Sequence, residues 1–111
     1  MTKSAEVYYN ETLSGYLSKT SRGYIFEYAD NYYLDNTKPA LSLTLPKTQK
    51  VYYSEKLFSF FYGLLSEGDL KTIQCRVLGI NENDHFTRLI KTASNTIGAV
   101  KIKEVNDEQM S

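Results

Sequence analysis

Few side chains in this sequence have the type and spacing that chemistry requires. His85 is the single histidine and Cys75 the single cysteine among 111 residues. A cysteine nucleophile needs a base within hydrogen-bonding reach, so catalysis would require the two to converge. His85 falls in the capping turn of a short predicted helix and reads as a solvated group. Cys75 falls among helical apolar positions and reads as a small packed residue. One His and one Cys fall short of a zinc site, which takes several N or S ligands. No Gly-x-Gly pair or P-loop pattern is present to cradle a phosphate. The kinase signature set of Gly-rich, catalytic and metal-binding loops is missing too. The expectation is a protein with no catalytic residues, no metal and no cofactor. Asp107-Glu108 reads as a solvated chain end. Glu67, beside Gly68, is the carboxylate of most interest. It either favours the N-terminus of the following helix by charge or meets a partner.

The element that would position Glu67 is the run Leu57 to Gly68, LFSFFYGLLSEG. Leu57, Phe60, Phe61, Leu64 and Leu65 recur at the steps of one helix face, and Phe58 and Tyr62 widen it. Ser54 is placed to cap this helix, and Gly68 to close it in the left-handed conformation. So much aromatic surface must bury against a sheet. Asp69 to Leu78 predicts a second helix, with Leu70, Ile73 and Val77 at helical spacing, Leu78 beside them and Gly79 as its stop. Asp84 to Thr92 predicts a third, capped by Asn83 or Asp84, with Phe86, Leu89 and Ile90 on one face.

Strands account for the rest. Ala5–Tyr9 turns at Asn10-Glu11 into Thr12–Lys19, with Leu13, Gly15 and Leu17 on one face and Tyr16 on the other. Ser21-Arg22-Gly23 turns into Tyr24–Tyr28, YIFEY. Asp30–Pro39 reads as a loop pinned by Tyr32, Tyr33 and Leu34. Ala40–Leu45, ALSLTL, alternates as a strand ended by Pro46. Val51–Tyr53 is a short extended piece, and Ile97–Val105 is a last strand in which Val100 and Ile102 alternate with Lys101 and Lys103. Residues 1–105 form one domain and 106–111 a polar, disordered tail. The fold class is α+β: a small, strongly curved antiparallel sheet, open or barrel-like, with two or three helices packed against it.

Composition narrows the function classes. With 13 basic and 13 acidic residues the formal net charge is zero, which argues against a direct nucleic-acid binder resting on a basic footprint. A single cysteine excludes an internal disulfide and fits a reducing compartment. The first ten residues carry no apolar signal core, and no apolar run approaches ~18 residues. The expectation is a cytoplasmic protein without membrane contact. Ten Tyr and five Phe without Trp fit β-strand packing.

Taken in order, YIFEY, PALSLTLP (Pro39–Pro46), FFYGLLSEG (Phe60–Gly68), DHFTRLI and GAVKI (from Gly98) resemble the N-terminal subdomain of HipA-type serine/threonine kinases. These are the toxins named for high persistence. The resemblance covers Gly15 to about Ile102. Ser66 stands where the family usually has Pro, Asp69 where many members have Trp, and Asn95-Thr96-Ile97 where the family has Gly-Asp. The chain ends where that subdomain ends, and so looks like HipS, the stand-alone antitoxin of HipB–HipS–HipT systems.

That resemblance implies an antitoxin that neutralises a HipT- or HipA-like kinase by docking in the place of the kinase's own N-terminal subdomain. The alternative is an accessory module that joins a HipB-like helix-turn-helix protein and the kinase on operator DNA and tunes autorepression. The expected kinase contacts are the link Ser66, Glu67, Gly68, Asp69 and Leu70, with Tyr24 and Phe26 on the sheet. Since Asp69 replaces a bulky anchor, contact through the link is expected to be mainly polar and charge-assisted, with Leu70 adding modest apolar area.

Overall fold

The computed structural model describes residues 3–65, 68–92 and 100–105. Five strands form one antiparallel sheet: β1 Lys3–Tyr9, β2 Thr12–Thr20, β3 Gly23–Tyr28, β4 Val51–Ser54 and β5 Val100–Glu104. Their order is β4-β3-β2-β1-β5. The sheet is open, with β4 and β5 at its edges. Among the described residues, four helical segments accompany it: α1 Asp30–Leu34, α2 Ser59–Tyr62, α3 Gly68–Leu78 and α4 His85–Thr92. The α+β class holds, with α1 as a helical segment beyond the three foreseen.

The first hairpin turns where expected. Asn10 and Glu11 have φ of 48° and 68°, the paired positive values of the tight turn that matches strand twist. Beyond it the register passes from Val7↔Gly15 to Tyr8↔Leu13, so Ser14 is an extra residue, a β-bulge. It is fully buried, and its Oγ donates to the Val7 carbonyl at 2.9 Å. The simple alternation predicted for β2 fails there: Leu17 and Gly15 stay inward, while Leu13 is only half-buried. Gly15 is required for close approach, since a Cβ would lie 2.5 Å from the Glu27 carbonyl and 2.7 Å from the Phe26 ring.

The core lies on one face of the sheet. Ala5, Val7, Leu17, Phe26, Tyr28 and Ile102 meet Tyr32 of α1, Phe61 of α2, and Phe86 and Leu89 of α4. Phe26 packs edge-on to Tyr28 at 4.9 Å and tilted to Phe61 at 5.7 Å between centroids.

Three local expectations need correction. Ala40–Leu45 is a tight turn, not a strand. The Tyr28 hydroxyl donates to the Leu45 carbonyl and accepts the Leu41 N–H at 2.9 Å, and Leu45 N–H closes onto the Ser42 carbonyl at 3.0 Å. Leu41 and Leu45 are buried as their alternation suggested, but Leu43 at the tip is 99 % exposed. The segment Asp30–Pro39 is not all loop, because α1 occupies its first half. Within it Tyr32 is buried, whereas Leu34 is exposed and pins nothing.

The third correction concerns the aromatic run. It is not one helix over Leu57–Gly68. Helix α2 is a single turn capped by Phe58 and Gly63, continued by tight turns from Leu64 N–H to Phe61 and from Leu65 N–H to Tyr62. Ser54 ends β4, and its hydroxyl accepts the Lys56 N–H at 3.3 Å instead of capping a helix. So short a helix owes its stability to packing rather than propensity. Phe58, Phe60 and Phe61 make edge-type ring contacts at 6.3 and 5.1 Å.

Helix α3 forms where predicted and ends at Gly79, φ 68°. The Ile80 N–H reaches back to the Cys75 carbonyl at 2.8 Å, a backbone arrangement that satisfies the last carbonyls. Helix α4 starts on Asp84, whose carboxylate accepts the Thr87 N–H at 3.1 Å and the Thr87 hydroxyl at 2.8 Å. The part of the predicted last strand before Val100, and the tail, lie outside the described residues.

Candidate functional site

Four elements end around one open pocket of about 520 Å³, within the range of small-ligand and side-chain binding clefts. Tyr24 comes from the start of β3 and Tyr62 from the end of α2. Glu55, Lys56 and Leu57 come from the segment after β4, and His85 opens α4. Tyr62 and His85 meet edge to face, with centroids 5.3 Å apart and planes at 81°.

Electrostatics in the wall follow from its neighbours. Partial burial, then the positive charges of Arg88 and Lys71, hold the His85 imidazole below its ordinary range, so it is neutral at pH 7. Arg88 Nη1 lies 3.3 Å from His85 Nδ1. Guanidinium groups only donate, so Nδ1 is the acceptor and the ring proton sits on Nε2. Burial and the Asp84 charge push the Tyr24 hydroxyl up, keeping it protonated as a donor. Burial raises the Asp84 carboxyl, but its two Thr87 bonds and the charges of Lys19 and Lys3 outweigh that and leave it lowered.

The pocket holds aromatic rings, a donor hydroxyl, a neutral imidazole, one cation and one carboxylate. That set suits binding. Cys75 lines a different hollow, with Thr72, Arg76 and Ile80 among its neighbours, and is buried there. Among the described residues, no three His, Cys, Asp or Glu side chains group closely enough to hold a metal. No described helix is long and apolar enough to cross a membrane.

Of the site residues read from sequence, Tyr24 lines the pocket and is 8 % exposed. Phe26, two residues along β3, is fully enclosed and packs against Tyr28 and Phe61, so its side chain is not on the surface. Ser66 and Glu67 lie outside the described residues. Gly68 opens α3 with φ 63°, and Asp69 and Leu70 are exposed in the first turn. Neither Asp69 nor Leu70 lines the pocket.

Sequence reasoning missed Lys56, Tyr62 and His85 as pocket residues, since nothing in their local spacing brings them together. It also missed the direction of α3. Leu70, Ile73, Val77 and Leu78 are 54, 55, 76 and 48 % exposed, while Cys75 alone of the helix is buried.

Comparison with known proteins bears on what such a surface serves. The profile of the HipA N-terminal domain matches residues 5–103. An uncharacterized protein of Haemophilus influenzae is 33 % identical over 104 residues, which cover 94 % of each chain. Among solved structures, the chain is similar to one described as the N-terminal domain of HipA toxin. The TM-score is 0.72 and the identity 28 %, covering 94 % of this chain and 93 % of that one. With a family profile matched over residues 5–103, nearly the whole chain, this chain belongs to the HipA N-terminal domain family.

Proposed function

We propose that this protein is an antitoxin. It binds a cognate HipT- or HipA-like serine/threonine kinase, occupies the place of the kinase's own N-terminal subdomain, and catalyses nothing itself. The observation that carries this reading is the nearly end-to-end likeness to the N-terminal domain of HipA toxin. A body of the same shape fits the same seat, and this one brings no phosphate-cradling motif to that seat. The Haemophilus relative, matched over 94 % of its length, supports a free-standing domain of this kind. Contact is made through Tyr24 at the pocket and through the link Ser66 to Leu70, where Glu67 and Asp69 offer carboxylates to basic groups on the kinase.

The test mixes the purified chain with the kinase, in the absence of any helix-turn-helix partner, and measures binding and phosphoryl transfer. A one-to-one complex with suppressed activity is expected. Assembly only when HipB or operator DNA is added would replace this reading with the accessory one. Glu67→Ala combined with Asp69→Ala should weaken binding and relieve inhibition with an unchanged melting curve. Added salt should weaken the wild-type complex more than the double variant, because exposed ion pairs are screened over about 8–10 Å.

A further inference from the structure

The pocket between Tyr24, Tyr62 and His85 has a chemistry specific enough to name the group it takes. Two of its polar groups are held in place and both donate. Tyr24 is 8 % exposed, and burial keeps its hydroxyl protonated. The His85 ring is fixed from two sides. Arg88 Nη1 donates to its Nδ1 at 3.3 Å, and Tyr62 packs edge to face with it at 5.3 Å. With Nδ1 engaged, the polar atom that His85 offers to a ligand is Nε2–H.

Charge selects the sign of that ligand. Glu55 and Lys56 are both exposed on the rim and offset one another. The charges that act on His85 are three cations, Arg88, Lys71 and Lys19, against one carboxylate, Asp84. Two fixed donors in a surround with excess positive charge suit an anion that accepts. A guanidinium or ammonium group would find donors where it needs acceptors. A phosphate dianion would set twice the charge against Glu55. A monocarboxylate brings two acceptor oxygens to two donors. Beside them, the exposed Tyr62 ring and the half-buried Leu57 form an apolar wall. Aromatic rings pair favourably with such a wall in offset or edge-on contact, and about 520 Å³ leaves room for one.

We propose that this pocket binds a small aromatic carboxylate. Its carboxyl group accepts from the Tyr24 hydroxyl and from His85 Nε2–H, Lys56 supplies the counter-charge, and its ring lies against Tyr62 and Leu57. The site belongs to this chain alone and goes beyond the antitoxin reading without depending on it.

Because His85 is the single histidine, one imidazole signal in the NMR spectrum of the full chain reports the site. The experiment titrates the chain at pH 7 with phenylacetate, and with three controls. Acetate lacks the ring, 2-phenylethanol lacks the charge, and benzylammonium reverses it. Phenylacetate is expected to shift the His85 signal saturably, with each control at least about tenfold weaker. Tyr24→Phe, which keeps the ring and removes the donor, and Lys56→Ala should each weaken phenylacetate binding severalfold with wild-type melting curves. No saturable shift with phenylacetate would overturn the inference. So would acetate or 2-phenylethanol binding as well as phenylacetate, or benzylammonium binding better. Phenylacetate affinity unchanged in both variants would place the ligand elsewhere and overturn it too. None of these titrations contains a kinase, so their failure and that of the antitoxin reading are told apart.

Discussion

Helices α3 and α4 are neighbours in sequence and both carry apolar residues at helical steps, yet they meet different surroundings. Helix α4 buries Phe86, Leu89 and Ile90, along with Arg88. Helix α3 buries Cys75 and leaves four aliphatic side chains in solvent. Helix α4 is anchored at its start by Asp84 and reaches the sheet beside β5. The first turn of α3 opens on a left-handed glycine with nothing within 4 Å of where a Cβ would sit. Periodicity therefore establishes that a helix has an apolar face. What that face meets depends on how much sheet remains uncovered once α1, α2 and α4 have taken their places.

The comparison breaks most visibly through the core. Phe86→Ala on α4 should destabilise the fold by about 3–5 kcal/mol in denaturant unfolding, as should Phe61→Ala on α2, because both rings are enclosed. The corresponding change on α3, Val77→Ala, should fall within about 0.5 kcal/mol of wild type. A Phe86→Ala protein as stable as wild type would erase the contrast. Next in size is the anchor of α4: Asp84→Ala removes the bonds to Thr87 and should cost about 0.5–2 kcal/mol.

A smaller effect is the pH dependence that His85 brings to the start of α4. The folded chain holds His85 below its unfolded pKa of about 6.5. The unfolded chain then binds more protons in that interval, so stability is full above about pH 6.5 and falls as pH drops through the folded value. Asp84 is also lowered, so its contribution is lost further down, below the ordinary carboxylate range. Replacing His85 by Gln should flatten the upper part of the profile and leave the lower part. Unfolding free energies measured from pH 7.5 to about 2 check this, and an unchanged upper slope would count against the placement of His85 beside Arg88.

Much of the fold was legible because its signals are local. The Asn10-Glu11 turn, YIFEY, the Asp84 cap and the Gly79 stop each act within a few residues. Where reading failed, a distant group had decided. Alternation in ALSLTL correctly marked Leu41 and Leu45 as buried, but the hydroxyl of Tyr28 bends the backbone between them. The aromatic run has helical spacing throughout, yet past Gly63 its backbone bonds tighten to three-residue steps, from Leu64 to Phe61 and from Leu65 to Tyr62, and the α-helix stays one turn long. The bulge at Ser14 needed only one serine whose hydroxyl finds the Val7 carbonyl. Of the candidate site, Tyr24 was within reach of the sequence. The pocket between Tyr62 and His85 was not, since it exists only where α2 and α4 converge.

The Tyr28 phenol joins two backbone groups of the turn at Leu41–Leu45 to the middle of the core. Tyr32 holds the Pro39 carbonyl at 2.7 Å, and Lys47 holds the Lys38 carbonyl at 3.0 Å. Such a turn opens with the core rather than on its own. In deuterated water the Leu41 amide should therefore exchange on the slow timescale of a central strand, although it belongs to no strand. The amide of Leu43, two residues on, should exchange as a free loop does. The boundary between fast and slow motion thus falls inside one tight turn, and a single phenolic oxygen sets where it lies.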